Sequence, residues 1–320
     1  MLESKVLVTG GAGFIGSHLV DRLIKEKSHV TVLDDFFSGT IENLQKHLGP
    51  KRITLVKGDV RNSADVRKAI NGVSTIFHLA AIIDVQSSMK DPKLTNDVNV
   101  NGTLSVLKES LIANVERFIY VSTCAVYGEA QYLPITEEHP IAPISPYGAS
   151  KFEAEKHCKT YNHTYGLETC CLRLFNVYGP RQSIGPYSGV ITRFINDLEK
   201  GHSLIIYGDG KQTRDFIHVK DVVSACLLAM EKRHEQCEAV NIGTGKPTSI
   251  NELANILMKL SGQTDLKPIY RAPREGDIRN SYADISKAQK MLNFEPKIGL
   301  EEGLESLVKH KFSLKPPRAD

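Results

Sequence analysis

The chain has 320 residues, of which 24% are charged, and 40 Lys and Arg against 37 Asp and Glu leave a net charge of +3. Because no basic block of five or more residues occurs, this balance argues against nucleic acid or an anionic membrane surface as a partner. No stretch approaches the roughly 18 apolar residues of a spanning helix, and the first residues lack the pattern of a signal peptide. We therefore expect no membrane segment and a cytoplasmic location.

The cysteine spacing argues against two further classes of protein. The six cysteines show no C-x-x-C spacing and no neighbouring histidines that would complete a metal site. We expect no metal centre and no disulfide framework, but reduced and mostly buried thiols. They are Cys124, Cys158, Cys170, Cys171, Cys226 and Cys237.

The first half of the chain alternates short apolar runs with amphipathic segments. Near-continuous apolar runs are typical of strands buried on both faces, and helical periodicity between them predicts βαβ crossovers. The predicted strands are 5–8, 30–34, 53–56, 75–78, 118–122 and 169–173, and the predicted helices are 15–25, 63–70, 98–113 and 146–165. The sequence therefore predicts an α/β fold with a doubly wound parallel sheet.

The pattern becomes less regular after Arg173. Gly179-Pro180, Gly185-Pro186 and Gly208-Asp209-Gly210 predict loops. Helical periodicity returns at 219–231, 250–260, 285–292 and 300–310, with a strand at 239–242. We expect a smaller C-terminal lobe at the sheet edge and a frayed tail at 313–320, which contains Pro316-Pro317.

A glycine-rich turn follows the first predicted strand. The run Val8-Thr9-Gly10-Gly11-Ala12-Gly13-Phe14-Ile15-Gly16 leads into an apolar helix. A tight turn, close backbone approach and the positive end of a helix dipole together form a pyrophosphate site. The sequence therefore predicts a dinucleotide cofactor against Gly10, Gly13, Phe14, Ile15 and Gly16.

An acidic residue at the end of the second strand selects the type of dinucleotide. Asp34 lies 18 positions beyond Gly16, where a carboxylate accepts hydrogen bonds from ribose hydroxyls and repels a 2′-phosphate. We therefore predict NAD and not NADP, although Asp34 and Asp35 also fit a solvated turn. The further predicted cofactor contacts at the strand ends and the following turns are Asp35, Ser38, Gly39, Asp59, Val60, Leu79, Ala80 and Ala81.

Tyr147 and Lys151 form the second chemical signal. Ser145-Pro146 reads as the N-cap and first position of a helix, and residues four apart on a helix share one face. A phenol and an ammonium can therefore converge on one substrate oxygen. To act as a base near neutrality, Tyr147 needs its pKa lowered by roughly three units. Thr123, at the end of the fifth strand, can hydrogen-bond the same oxygen.

These motifs resemble the extended short-chain dehydrogenase/reductase family, specifically its NAD-dependent nucleotide-sugar 4-epimerases. The resemblance covers residues 4–311. It rests on the glycine turn and on the segments 78–81, 99–103, 122–128, 147–151, 172–180, 214–221 and 274–277. With this resemblance, we assign residues 1–175, with 214–245 returning to them, to an NAD-binding Rossmann domain. Residues 176–213 and 246–312 form a substrate-binding lobe.

The resemblance implies a role for each matching residue. Tyr147 would be the base, Lys151 its electrostatic partner, and Thr123 the proton-relay hydroxyl. Asn99 and Phe175 would contact the cofactor. The nucleoside diphosphate would lie against Asn176, Arg214, Arg274 and Asp277, and arginine suits phosphate because its guanidinium binds it in a bidentate manner.

The implied reaction is the interconversion of UDP-hexoses at C4. Tyr147 would take the C4 hydroxyl proton while the C4 hydride moves to NAD, and the 4-keto sugar would then rotate and take the hydride back on its other face. A homodimer through the helices 98–113 and 146–165 is also implied.

Other reactions of the family are weighed against this one. In the 4,6-dehydratases an Asp-Glu pair follows the catalytic threonine, whereas Cys124 and Ala125 stand here, so dehydration lacks its acid and base. Arg181 keeps uronate 4-epimerases and decarboxylases open, and Asn176 favours a neutral hexose. A non-catalytic NAD-binding regulator is a further alternative.

The residue at position 281 bears on the choice of sugar. In related epimerases a bulky residue there restricts the pocket to plain hexoses, and a small residue admits a 2-N-acetyl group. Ser281 is small. We therefore expect UDP-N-acetylglucosamine and UDP-N-acetylgalactosamine to be accepted alongside UDP-glucose and UDP-galactose.

Overall fold

The computed structural model describes residues 4–49, 53–182, 189–233, 236–274 and 276–313. The first part of the chain alternates strands with helices, as predicted. Its elements are β1 (Lys5–Thr9), α1 (Phe14–Lys25), β2 (His29–Asp34), β3 (Ile53–Lys57), α2 (Ser63–Ile70), β4 (Thr75–His78), α3 (Val85–Lys90), α4 (Pro92–Asn96), α5 (Gly102–Ile112), β5 (Arg117–Thr123), α6 (Pro146–Tyr165) and β6 (Glu168–Leu174).

The second part contains shorter strands and five more helices in the described residues. They are β7 (Asn176–Tyr178), α7 (Val190–Glu199), β8 (Ile205–Tyr207), β9 (Thr213–His218), α8 (Val219–Glu231), β10 (Glu238–Ile242), β11 (Pro247–Ser249), α9 (Ile250–Leu260), β12 (Ile269–Arg271), β13 (Asn280–Ser281), α10 (Ser286–Leu292) and α11 (Leu300–Ser313).

One parallel sheet organises the first part, in the strand order β10-β6-β5-β4-β1-β2-β3. Alternate residues of β1 pack into different apolar cores: Val6 and Val8 join one that includes α1, α8 and α10, and Leu7 joins another that includes α2, α5 and α6. Helices therefore cover both faces, which explains why the strands are apolar along their whole length. The predicted doubly wound α/β fold is confirmed.

The chain leaves this sheet at Phe175, which alone separates β6 from β7. β7, β11 and β13 each pair with β9, and β8 pairs with β12. A separate apolar core joins α7, α9 and α11. Strand β10, predicted as 239–242, returns to the large sheet beside β6.

No element was predicted for residues 190–199, which form helix α7. This helix buries Ile191, Phe194, Ile195 and Leu198 against α9 and α11. These residues have the spacing of an amphipathic helix, but the glycines and prolines on either side favoured a loop in the sequence analysis. Gly185-Pro186 lies outside the described residues, as does the tail beyond Ser313. The predicted helix 98–113 begins instead with a π-helical segment, Asp97–Asn101, followed by α5.

The six cysteines are all free. Cys158, Cys170, Cys171 and Cys226 are buried, and Cys124 and Cys237 are half-buried. Among the helices of the described residues, none combines the length and apolar composition needed to cross a membrane.

A buried ion pair ties α6 to the sheet. Arg173 donates to Glu155 from Nη2 at 2.7 Å and from Nε at 3.0 Å, and both side chains are 6% exposed. Arg173 also donates to the Tyr127 hydroxyl at 2.9 Å, and Tyr127 donates to Asn241 on β10 at 2.6 Å. This network fixes the rotation of α6 and therefore the direction of its first turns.

Replacing Arg173 with methionine should destabilise the fold by about 3–5 kcal/mol, because it leaves the Glu155 charge buried without its partner. Urea unfolding measures this loss. The double variant Arg173→Met/Glu155→Met should lose less, because it removes both charges.

A matched control is Arg22→Met, which breaks a pair with Glu26 between side chains that are 49% and 36% exposed. This change should cost about 1 kcal/mol or less. Equal losses for Arg173→Met and Arg22→Met would contradict the structural role of the buried pair.

Candidate active site

A cavity of about 470 Å³ lies at the carboxyl ends of the sheet strands. It lies where β1 and β4 meet, and crossovers leave a parallel sheet on opposite sides at such a reversal of strand order. Its walls include many predicted cofactor residues: Gly10, Gly13, Phe14, Ile15, Gly16, Asp34, Asp35, Ser38, Asp59, Val60, Leu79, Ala80, Ala81, Thr123, Tyr147, Lys151 and Phe175.

The glycine turn forms the floor of the cavity. Gly10 has a φ of +69°, and a Cβ on it would lie 2.8 Å from the Ala80 nitrogen. A Cβ on Gly16 would lie 2.2 Å from the Gly10 carbonyl oxygen. Gly13 caps α1 without any side-chain hydrogen bond. The N-terminus of α1 therefore presents bare backbone to the cavity, as a pyrophosphate site requires.

Asp34 is held rigidly beside this turn. Its two carboxylate oxygens accept hydrogen bonds from Ala12 N at 2.8 Å and Phe36 N at 2.9 Å. Burial raises the pKa of Asp34, and the two backbone hydrogen bonds oppose that rise. Carboxylate oxygens accept more than one hydrogen bond, so the group still has capacity for ribose hydroxyls.

The residues present fit NAD. The glycine cradle admits no side chain at Gly10 or Gly16, the helix end suits the pyrophosphate, and the carboxylate of Asp34 suits a ribose without a 2′-phosphate. In the described part of the chain, no three His, Cys, Asp or Glu side chains come together as metal ligands would.

Thr123, Tyr147 and Lys151 converge on the wall of the same cavity. Helix α6 starts as predicted, with Ser145 accepting a hydrogen bond from Gly148 N and Pro146 in the first turn. Tyr147 lies in the opening turn, and its hydroxyl interacts with the Thr123 side chain. Thr123 is the last residue of β5. Strand end and helix start thus bring the three side chains together.

Burial controls the protonation of this group. It raises the pKa of Tyr147 to about 12, against the hydrogen bond from Thr123, and it lowers the pKa of Lys151 to about 8. The chain alone therefore does not produce the predicted lowering for Tyr147, because desolvation outweighs the hydrogen bond. Tyr147 is a neutral phenol at neutral pH unless a further positive charge enters the cavity.

Cys124 links this wall to strands β9 and β13, which belong to the second lobe, the part of the chain packed on the core of α7, α9 and α11. Its thiol interacts with Ser281, Arg214 and Tyr147. Burial raises the pKa of Cys124 to about 11. The thiol is therefore a neutral part of the wall.

A second cavity of about 560 Å³ lies in the second lobe. Arg274 and Asp277 line it, and the Arg274 guanidinium stacks over the Tyr207 ring at 4.0 Å from the ring centroid. Arg214 donates to Asp277 at 2.6 Å. The predicted residues Arg214, Arg274 and Asp277 are therefore brought together.

Asn99, Gly39 and Asn176 are among the predicted residues that do not line the first cavity. Asn99 is 1% exposed and hydrogen-bonds both backbone groups of Ile82, at 2.8 and 3.0 Å, and Ser150. Gly39 packs against the Ala12 backbone. Asn99 therefore supports Ile82, which lines the cavity, without lining it itself. Gly39 likewise contacts the glycine turn without lining the cavity. Asn176 lies on β7, and its side-chain oxygen is buried without a hydrogen-bond partner among the described residues.

Arg181 is directed to a different place from the one predicted. It donates to Asp21 on α1 at 2.7 Å, and Lys46 and His47 contact the same carboxylate. It lines neither cavity. The expected contact between Arg181 and a sugar carboxylate therefore finds no support in this geometry.

Sequence reasoning missed several residues that line or border these cavities. Val177 and Gln182 line the first cavity, and Tyr207 lines the second. The Arg193 guanidinium on α7 lies 5.7 Å from the Tyr207 ring centroid, and its Nε is buried without a partner in the described residues. The amphipathic pattern of α7, with Arg193 between apolar residues, was the available signal.

Comparisons with known proteins agree with this geometry. The model of the NAD dependent epimerase/dehydratase family matches residues 6–243. A protein named Putative UDP-glucose 4-epimerase from Methanocaldococcus jannaschii is 44% identical over 306 residues, which are 95% of this chain and 97% of the relative. UDP-glucuronic acid decarboxylase 6 from Arabidopsis thaliana is 37% identical over 97% of this chain and 89% of its own length.

Two solved structures are similar over nearly the whole chain. UDP-glucose 4-epimerase from Thermotoga maritima, solved with UDP-glucose, has a TM-score of 0.91 and 38% identity and covers 97% of this chain and 100% of its own. UDP-N-acetylglucosamine 4-epimerase from Methanobrevibacter ruminantium, solved with UDP-N-acetylmuramic acid, has a TM-score of 0.92 and 38% identity and covers 98% and 100%. The chain therefore belongs to the NAD dependent epimerase/dehydratase family and is an NAD-dependent enzyme.

Proposed function

We propose that this enzyme is a 4-epimerase of UDP-hexoses that accepts UDP-glucose and UDP-galactose and also their 2-N-acetyl counterparts. One observation carries the proposal. Thr123, Tyr147 and Lys151 meet on the wall of the NAD-fitting cavity, and Cys124 connects that wall to Ser281 and Arg214 at the second lobe. A sugar at the first group and a diphosphate at the arginines would span the two sites.

In this proposal Tyr147 holds and moves the proton of the C4 hydroxyl. Thr123 interacts with Tyr147 and would hydrogen-bond the same substrate oxygen. The Lys151 ammonium stabilises the phenolate form electrostatically. NAD, when bound, supplies the oxidising and reducing chemistry at C4. The residues around it would limit the access of water to the exchange, since Lys151 is buried and Tyr147 is half-buried.

The charges of the second lobe support a diphosphate ligand. Arg193, Arg214 and Arg274 carry three positive charges, and Asp277 is paired with Arg214. Arg193 and Arg274 repel one another electrostatically. An anion with two negative charges would relieve this repulsion and would offer acceptors to the unpartnered Nε of Arg193.

The alternative reactions find less support in the site. Cys124 and Ala125 offer no carboxylate after Thr123, so dehydration lacks an acid and a base. Arg181 is engaged by Asp21, which removes the cation expected to hold a uronate. The similarity to a decarboxylase keeps UDP-glucuronate as the second candidate substrate. A non-catalytic regulator would not need the group formed by Thr123, Tyr147 and Lys151.

Ser281 would set the choice between plain and N-acetylated sugars. It is 5% exposed, lies beside Arg214 in the pairing of β13 with β9, and interacts with Cys124. Its small side chain would leave room for an N-acetyl group that a larger residue would occupy.

We also propose a homodimer through α5 and α6. Ile112 at the end of α5 is 63% exposed, and Tyr165 at the end of α6 is 59% exposed. Large exposed apolar side chains on adjoining helices are typical of protein interfaces.

The direct test incubates the purified protein with UDP-glucose, UDP-galactose, their 2-N-acetyl counterparts and UDP-glucuronate in D₂O, and follows the products by NMR. We expect C4 epimers with no deuterium at C4, because the hydrogen removed from the sugar is returned to it. Tyr147→Phe should reduce turnover by about 10²–10⁴-fold, because it removes the group that moves the proton.

Three results would contradict this assignment. They are deuterium at C4, release of carbon dioxide from UDP-glucuronate as the main reaction, or near wild-type turnover by Tyr147→Phe. Inactivity toward every UDP-sugar would favour the regulator.

The pH profile tests the role of Lys151. Its charged form is the one that stabilises a phenolate, and burial lowers its pKa to about 8. Activity should therefore be retained below this pH and should fall as the pH rises through it. A profile of kcat/KM for UDP-glucose that stays flat from pH 7 to about pH 10, the pKa of an unperturbed lysine, would exclude this role.

Ser281→Tyr should lower kcat/KM for UDP-N-acetylglucosamine by about tenfold or more relative to UDP-glucose, because the larger side chain takes the space of the N-acetyl group. The control is Ser281→Ala, which stays small and should act on both sugars. The idea fails if Ser281→Tyr slows both sugars equally.

A further inference from the structure

The ammonium of Lys151 lies on an aromatic ring. Its Nζ is 4.1 Å from the centroid of Tyr120, a residue of β5 that is fully buried. Lys151 itself is 3% exposed. A cation over an aromatic face is attracted by the negative charge density of the ring, and the attraction is larger where water is excluded.

We propose that Tyr120 is a positioning residue for the reaction: the face of its ring holds the Lys151 ammonium in place and stabilises its charge. The proposal rests on the proposed function, in which that ammonium assists Tyr147. Nothing in the spacing of the Tyr147 and Lys151 motif points to Tyr120, which lies 31 positions before Lys151 on another element.

The other described groups around Lys151 are either paired elsewhere or neutral, so the Tyr120 ring is the group available to stabilise its charge. Glu155, one turn along α6, is already bound by Arg173 and accepts a hydrogen bond from Ser122. The thiols of Cys158 on α6 and Cys171 on β6 also face Lys151. Burial raises the pKa of Cys158, and the hydrogen bond with Cys158 raises that of Cys171. Both thiols are therefore neutral.

His78 on β4 supports the ring from the neighbouring strand. Its imidazole stacks on Tyr120 with the ring centroids 5.9 Å apart and the planes 27° apart. Both imidazole nitrogens are hydrogen-bonded, Nδ1 to Thr9 at 2.8 Å and Nε2 to Thr103 at 2.9 Å. Burial lowers the pKa of His78 to about 3. The imidazole is therefore neutral and adds no charge to compete with Lys151.

The hydroxyl of Tyr120 provides a matched control. It is buried and has no hydrogen-bond partner among the described residues. Tyr120→Phe therefore keeps the aromatic face and removes no hydrogen bond made within the described residues. Tyr120→Leu keeps an apolar side chain but removes the ring. Fluorinated phenylalanines at position 120 keep nearly the same volume and weaken the negative face of the ring.

The test measures the titration of Lys151 directly, in protein labelled with ¹³C at lysine Cε. The Lys151 signal is assigned by its loss in Lys151→Met. We expect Tyr120→Phe to titrate like the wild type. Tyr120→Leu and 3,4,5-trifluorophenylalanine at position 120 should titrate about one pH unit lower. The alkaline fall of kcat in the same variants should move by the same amount.

Equal titration midpoints for phenylalanine and trifluorophenylalanine at position 120 would overturn the proposal. The comparison of phenylalanine with trifluorophenylalanine tests the role of the ring face even if Tyr120→Leu does not fold, because these two side chains differ little in packing. A protein that lacks epimerase activity but shows the shifted midpoint would refute the proposed function and leave the contact standing. An active epimerase whose Lys151 midpoint does not shift would support the proposed function and refute the role of Tyr120.

Discussion

The site depends on the reversal of strand order where β1 meets β4. Crossovers leave on opposite sides of the sheet at this point, so no helix covers the carboxyl ends of the two strands. The glycine turn after β1 and the small residues after β4 meet there, with Gly10 in contact with Ala80. The N-terminus of α1 and the carboxylate of Asp34 then lie on the same cavity. Every other part of the proposed chemistry is placed relative to this cavity.

Burial governs the electrostatics of the wall. The same exclusion of water raises the pKa of Tyr147 and lowers that of Lys151, so each group is driven toward its neutral form. At neutral pH Tyr147 is therefore neutral, and Lys151 keeps its charge below its pKa of about 8. The contact of the Lys151 ammonium with the Tyr120 ring offsets part of the desolvation that lowers the pKa of Lys151, and it does so without a second charged group.

The second lobe is coupled to the sheet by short covalent and hydrogen-bonded links. Phe175 alone separates β6 from β7, and the network from Arg173 through Tyr127 to Asn241 fixes β6, α6 and β10 to one another. Ser281 and Arg214 interact with Cys124, which follows Thr123 at the end of β5. A substrate that spans both cavities would therefore meet a preorganised surface.

The sequence by itself determined the sheet, most of its helices, the NAD site and the group of Thr123, Tyr147 and Lys151. The strands, the helices, the glycine turn and the pair of Tyr147 and Lys151 are encoded in local periodicity and short spacings, which need no distant contact to be recognised. Thr123 lies on another element, and its place at a strand end and the family resemblance joined it to this pair. Tertiary structure alone decided that Asp21 engages Arg181, that Asn99 lies behind the cavity wall, that α7 brings Arg193 to Tyr207, and that Tyr120 carries the Lys151 ammonium. Arg181 and Asp21 are 160 positions apart. The partner of a charged or polar side chain depends on which elements pack together, and sequence spacing does not specify that packing.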